Sequence, residues 1–168
     1  MAADRLVSEM RIGQGIDVHR LVPGGPLRLG GIAIPNNVHL EGHSDGDVVA
    51  HAIADAILSA AYLGDLGTFL PADDPTIAGI AGTEVLRRVA KALAQQGAKV
   101  GNVDCSVMCD CPPLAEHVPA MTNAVAMALS VSTRCISIKP RHAEGLGFVG
   151  REEGILAMAV ALVTLDSP

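Results

Sequence analysis

The sequence predicts a single α/β or α+β domain, on three observations. Segments with apolar residues at helical spacing interleave with segments that alternate like strands. No internal repeat, low-complexity tract or linker-like shift in composition divides them. At 168 residues and 49% hydrophobic content, the chain is long enough to bury one core and little more.

Composition narrows the function classes. Aromatic residues make up only 2%, so the core is built from Ala, Val, Ile, Leu and Met and offers few platforms for stacking bases. The net charge of -6 lacks the cationic surplus that a phosphate backbone requires, so nucleic acid is not an expected partner. No apolar run reaches membrane-spanning length; even Ile155 to Leu165 is too short, and a soluble protein with no membrane partner is expected.

The elements follow in order. Met1 to Met10 reads as a loose extension, too short for an intact organellar targeting segment, which leaves 11–168 as the domain. Ile12 to Leu21 is rich in β-branched residues and glycine and reads as extended, so Asp17 and His19 share a face. A helix then follows His43, with Ser44 or Asp45 as its expected N-cap and Val49, Ala52, Ile53, Ala56, Ile57 and Ala60 as its apolar stripe. Asp47, His51 and Asp55 recur every four residues beside that stripe. Taken alone, such a ladder is a solvated helix face. Together with Asp17-Val18-His19, the segment His43 to His51 can bring two imidazoles and a carboxylate to one divalent ion, with a fourth position open as in a catalytic zinc site.

Thr83 is expected to cap a helix reaching about Gln96, with Val85, Leu86, Val89 and Leu93 inward, Arg87, Arg88 and Lys91 outward, and Gly97 as its stop. Val100 to Cys109 alternates like a strand, in which Cys105 and Cys109 share the phase of Val103 and Val107 as small core residues. Without a CxxC pair or a secretory signal, the four cysteines read as free thiols in a reducing compartment, the cytoplasm of a bacterium or the plastid for a trimmed precursor. Pro112-Pro113 breaks the strand, Pro119 opens a helix through Leu129, and Cys135 to Lys139 reads as a short strand. Glu144 to Gly154 is rich in glycine, either an ordinary loop or a cradle whose N–H groups approach an anion beside Arg151, with Lys139, Arg141 and His142 adding cationic character upstream. Glu144 suits a second, harder ion such as Mg²⁺ or Mn²⁺. Ile155 to Leu165 is apolar in both phases and is read as a strand covered on both faces, one of them by an oligomer interface.

Five motifs stand in a definite order: Asp-Val-His at 17–19, His-Ser-Asp-Gly-Asp-Val-x-x-His-Ala at 43–52, Leu-Gly-Asp-Leu-Gly at 63–67, Gly-Asn-Val-Asp at 101–104 and Glu-Gly-Leu-Gly-Phe-x-Gly-Arg at 144–151. In these, and from about Arg11 to Leu165, the chain resembles the 2-C-methyl-D-erythritol 2,4-cyclodiphosphate synthase family of the non-mevalonate isoprenoid pathway. The resemblance implies a mixed sheet with helices packed on one face, in a homotrimer whose sheets face the interior and whose active sites lie between subunits. By the same resemblance Asp17, His19 and His51 are zinc ligands, with one Zn²⁺ or other divalent metal per subunit. His43 and Ser44 hold the substrate phosphate near that ion, and Asp65 binds the methylerythritol hydroxyls. Asp55 supports the metal-binding helix or the substrate. Glu144 holds the second Mg²⁺ or Mn²⁺ on the diphosphate, and Arg151 binds phosphate. Cys109 and Pro112 lie in the cytidine segment, and Phe148, Lys139, Arg141 and His142 belong to the substrate-binding set.

The implied reaction is attack of the substrate's own 2-phosphate on the β-phosphorus of its cytidine diphosphate arm, closing a cyclic diphosphate and expelling CMP. It needs no serine or cysteine nucleophile, and the sequence offers no convincing Ser-His-Asp or Cys-His constellation. Two departures stand out. Lys139-Pro-Arg-His-Ala-Glu144 replaces a Lys-Ala-Thr-Thr-Thr-Glu-like run, which implies altered phosphate contacts, and Pro113 and Ala115 replace a lysine and a larger apolar residue. The alternatives are a noncatalytic metal-containing trimer that binds a diphosphate or isoprenoid ligand, and a zinc-dependent hydrolase.

Overall fold

The doubly apolar segment at the end of the sequence is a strand, β7 (Gly154–Leu165), and it occupies the middle of the main sheet. In this computed structural model, which describes residues 9–71 and 73–165, β7 lies between β1 (Glu9–Pro23) and β5 (Ala98–Met108), antiparallel to both. The short β4 (Val38–Leu40) extends the sheet beyond β1, and β6 (Ile136–Arg141) extends it beyond β5 as the one parallel pair, giving a mixed sheet in the order β4-β1-β7-β5-β6. The hairpin of β2 (Leu27–Leu29) and β3 (Ile32–Ile34) forms a separate ribbon. Among the described residues there are three longer helices, α1 (Val48–Ala60), α3 (Gly82–Gln95) and α4 (Val118–Leu129), two single α-helical turns, α2 (Leu66–Phe69) and α5 (Gly147–Gly150), and three 3-10 turns at Pro75–Ile77, Ala115–His117 and Thr133–Cys135. Of the extension expected over 1–10, residues 1–8 lie outside the described residues, and Glu9 and Met10 already pair with Leu165 and Thr164. No helix among the described residues is long and apolar enough to cross a membrane.

Period-two alternation divides β7 into two rows. Ile155, Ala157, Ala159, Ala161 and Val163 are buried beneath the helices, whereas Met158 and Val160 look outward. On β1 the outward row is Met10, Ile12, Ile16 and Val18, and Ile12 is 72% exposed. An apolar surface therefore runs across the two central antiparallel strands with no helix upon it. On β5, a bulge between Val100 and Asn102 shifts the phase, so that Val103, Cys105 and Val107 point into the core. Cys109 is buried in the same phase.

Small residues set the distance between helix and sheet. A Cβ at Gly13 would lie 2.1 Å from the Ala56 carbonyl oxygen, and one at Gly15 would lie 2.2 Å from the Ala52 oxygen. Backbone packs on backbone here, with Ala52, Ala56 and Ala60 opposite two glycines. A core almost without aromatics closes by this approach.

Several expectations need correction. The N-cap of α1 is Asp47, not Ser44 or Asp45, because the earlier side chains are used in turns: Ser44 Oγ accepts from Gly46 N–H and Asp45 Oδ1 from Asp47 N–H, both at 3.2 Å. Thr83 caps nothing; α3 begins at Gly82, whose N–H donates to Asp45 Oδ2 at 2.9 Å, so a carboxylate distant in sequence replaces a local cap. The ladder Asp47, His51, Asp55, which taken alone would be a solvated face, has Asp47 and His51 buried, in keeping with the reading that joins it to Asp17-Val18-His19. The glycine-rich stretch is a left-handed turn through Glu144 and Gly145 followed by α5, and the N–H groups of Ala143 and Gly145 donate to Asp110 rather than facing open space.

Candidate active site

Asp17 and His19 project from the helix-covered face of β1, and the close approach of α1 to Gly13 and Gly15 brings His51 down beside them. Asp17 Oδ2 lies 3.0 Å from His51 Nδ1 and 3.3 Å from His19 Nε2. One ligand atom from each residue falls within 4.8 Å of the others, the only such three-residue group of His, Cys, Asp or Glu among the described residues. The remaining ring nitrogens are also held. His19 Nδ1 lies 2.5 Å from the Glu41 carbonyl oxygen, so it carries the proton and donates. His51 Nε2 lies 3.2 Å from Ser44 Oγ.

Electrostatics follow from this geometry. Burial alone would raise the Asp17 carboxyl, but hydrogen bonds and charge from His19 and His51 outweigh it and bring it down to about 2. The hydrogen bond to Asp17 raises the His19 imidazole above its ordinary value against the opposing effect of burial. Two imidazoles and an ionised carboxylate converging on one point are the donor set of a borderline divalent cation such as zinc, and the fourth direction opens into a cleft.

The cleft, of about 440 Å³, unites six of the residues singled out in the sequence: Asp17, His19, His43, Ser44, His51 and Asp55. Its apolar wall is Leu66, Leu70, Ile77, Ile80 and Val85. Val85 belongs to the inward stripe of α3 and Leu66 to the 63–67 motif, whereas Leu70, Ile77 and Ile80 were missed because apolar residues on short turns carry no periodic signal. Asp55 Oδ1 accepts from Leu66 N–H at 2.9 Å and so fastens α2 to α1. Asp65 stands at the N-terminus of α2, where the Thr68 N–H at 2.7 Å lowers its carboxyl and keeps it ionised.

The remaining candidates lie elsewhere in this chain. Phe148 lines a smaller hollow of about 250 Å³ with Val18, His19, Arg20 and Glu153. Lys139 is paired with Asp104 across β5 and β6. Arg141 donates to the Pro140 carbonyl at 3.0 Å, and His142 is exposed beside Asp110. Glu144 is exposed and outside the three-residue ligand group, and Arg151 forms a two-point ion pair with Glu153 at 2.9 and 3.2 Å. The Cys109 thiol is turned inward, 3.2 Å from the Cys111 carbonyl, and burial pushes it up to about 12. A ligand meeting Cys109 would therefore meet main chain rather than sulfur. Asp110, which joins the 109–113 turn to the 143–145 turn, was not singled out in the sequence.

A model of the YgbB family matches residues 10–164. The chain is 52% identical over 154 residues to the 2-C-methyl-D-erythritol 2,4-cyclodiphosphate synthase of Symbiobacterium thermophilum, covering 92% of this chain and 98% of the relative. Among solved structures it is similar to a CDP-bound 2C-methyl-D-erythritol-2,4-cyclodiphosphate synthase, with TM-score 0.83 and 35% identity over 91% of this chain and 99% of that one. It is likewise similar to a CDP complex of IspF from Plasmodium falciparum, with TM-score 0.82 and 30% identity over 96% and 99% of the two chains.

Proposed function

The chain belongs to the YgbB family and has the cyclodiphosphate synthase role in isoprenoid biosynthesis, and from that premise we propose that Asp17, His19 and His51 hold a zinc ion on which the cleft is built. The observation that carries this reading is the convergence of Oδ2, Nε2 and Nδ1 at the base of a cleft that also contains His43 and Ser44. When bound, the ion supplies Lewis acidity and a fixed positive charge for phosphate oxygens.

The substrate is a cytidine diphosphate ester of methylerythritol bearing its own 2-phosphate, and the products are the 2,4-cyclodiphosphate and CMP. CDP bound to the two structural relatives supports the cytidine part. The attacking phosphate oxygen is already anionic, so no side chain has to remove a proton from it. What the chain contributes is alignment of two mutually repelling anions and neutralisation of their charge. His43 and Ser44 orient the attacking phosphate. Asp65, ionised and therefore a pure acceptor, receives the substrate hydroxyls, and Asp55 keeps α2, and with it Asp65, at a fixed distance from His51.

Glu144 would hold a Mg²⁺ or Mn²⁺ ion, which would supply positive charge for the diphosphate. Arg141 and His142 stand where hydroxyls are expected and give charged phosphate contacts. Arg151 gives another once Glu153 releases it. The turn at Cys109 and Pro112, with Phe148, forms the nucleoside end. Because these groups lie outside the cleft of their own chain, the active site is completed between subunits of a homotrimer, and the apolar row of β1 and β7 supports burial of that face in its interior. Four free thiols fit a reducing compartment, for a chain with bacterial relatives the cytoplasm.

The test is incubation with the cytidylylated methylerythritol phosphate substrate, with and without chelator, followed by phosphorus NMR. CMP with a cyclic diphosphate, abolished by chelator and restored by zinc with magnesium, is expected. A linear product or inorganic phosphate overturns the reading in favour of a hydrolase, and binding without turnover overturns it in favour of a scaffold.

A further inference from the structure

We propose that Asp47 is a positioning residue that sets the axial place and rotation of α1, and so the aim of His51 into the metal site. The proposal rests on the reading that the Asp17, His19, His51 group holds a divalent ion. Asp47 touches none of these side chains. It is buried without solvent contact, and both its oxygens are occupied: Oδ1 by the N–H groups of Gly30 at 2.7 Å and Ala50 at 3.0 Å, Oδ2 by that of Gly31 at 2.6 Å. Its own carbonyl accepts the His51 N–H at 3.0 Å. One residue thus joins the β2–β3 hairpin, through its side chain, to the metal-ligating residue, through its main chain.

A helix cap alone would not need this arrangement. Serine or asparagine satisfies one N–H without burying a carboxylate, and the Ala50 N–H is the only donor here that belongs to α1. The other two come from Gly30 and Gly31, the two-residue turn between Leu29 and Ile32, with φ of 57° and 79°. Such a primed turn directs successive N–H groups toward an anion, and Asp47 is that anion. Gly82, at the start of α3, packs on the other side, where a Cβ would come within 2.9 Å of Asp47 Cβ.

The contact of α1 with Gly13 and Gly15 fixes how near the helix lies to β1, but methyl and backbone surfaces are poor at resisting sliding or rotation. A helix turns about 100° and rises about 1.5 Å per residue, so a small slip carries Nδ1 away from Asp17. Hydrogen bonds to the hairpin are directional and remove that freedom.

The experiment measures Co²⁺ binding to the purified protein by its ligand-field absorption, in Asp47→Asn, Asp47→Ser and Gly31→Ala. Serine retains the cap on Ala50 and abandons the hairpin. Alanine at 31 leaves Asp47 in place but drives the turn against Thr83, whose Cγ2 would lie 2.5 Å from the new Cβ. Folded variants, checked by circular dichroism, are expected to bind Co²⁺ about 10- to 100-fold more weakly and to show an altered band at saturation. Should Asp47→Asn fail to fold, Asp47→Ser and Gly31→Ala carry the test. Variants that lose stability but keep wild-type Co²⁺ affinity and spectrum overturn the proposal. Wild type that takes up no Co²⁺, or His51→Ala that binds it unchanged, overturns the metal reading instead.

Discussion

Replacing Gly15 by alanine adds one methyl group at the seam between β1 and α1, and the consequence can be worked from distances. The new Cβ would stand 2.2 Å from the Ala52 oxygen, 2.6 Å from the Ala56 nitrogen and 2.9 Å from the Asp55 Cβ. Two of these three neighbours are helix backbone, so no side chain can swing aside; α1 must retreat by roughly 1 Å or β1 must bend. Overpacking of this kind costs about 1–3 kcal/mol of stability. A second effect of similar size falls on the proposed metal site, where ligand distances tolerate about 0.2 Å and displaced ligands cost about 10- to 100-fold in affinity. Gly13→Ala is the control: its Cβ would meet Ala56 and Ala60 at 2.1 and 2.5 Å, an equal insult one turn farther from His51. Urea unfolding of the metal-free proteins and zinc titration against a chromophoric chelator separate the two effects. Both variants should lose similar stability, with Gly15→Ala losing more zinc affinity. Wild-type zinc affinity in a folded Gly15→Ala protein would refute the reasoning.

Asp65→Ala should leave zinc content unchanged while raising KM for the substrate, and steady-state kinetics identical to wild type would contradict its assignment. Zinc affinity should fall as pH is lowered through the raised His19 value, because the ligand must be deprotonated. The metal-free protein behaves oppositely: the His19 contribution is complete below the unfolded value of 6.5 and is lost as pH rises through the higher folded one. Asp17 contributes above its unfolded value of 3.8 and loses that stability only as pH falls toward about 2. Urea midpoints of both forms across about pH 5 to 8 test this, and a zinc-dependent increment that does not change with pH would count against it. Val160→Asp places a charge on the open row of β7, where Val160 is 44% exposed. Sedimentation should show a trimer for wild type and smaller, inactive species for the variant, and an intact active trimer would exclude that row from the interface.

The elements with strong periodicity were legible in the sequence. The stripe Val49 to Ala60, the stripe Val85 to Leu93 and the doubly apolar end of the chain are α1, α3 and β7. The hairpin of β2 and β3 was not legible, because strands of three residues carry too little alternation to be seen. The cap of α1 was misplaced for a different reason: Ser44, Asp45 and Asp47 all have the side chain of a cap, and only the tertiary partners Gly30, Gly31 and Gly82 decide which serves. Asp-x-His on a strand and a histidine on the following helix were enough to anticipate that Asp17, His19 and His51 converge. The supporting contacts could not be anticipated, since the Glu41 carbonyl and the glycine–alanine seam involve backbone, which has no letter in a sequence.

Ser44 links two events that are usually described separately. Its oxygen receives the Gly46 N–H, and with a cation on Nδ1 it receives the His51 N–H as well, leaving the hydroxyl's own hydrogen as the one unspoken-for valence. An arriving anion that takes this hydrogen makes the oxygen richer in electrons. The oxygen then draws harder on the imidazole proton, and the opposite ring nitrogen becomes a stronger Lewis base. With a cation held by the triad, cargo and anchor would be wired in series, and the ion would be gripped most firmly when an anion sits beside Ser44.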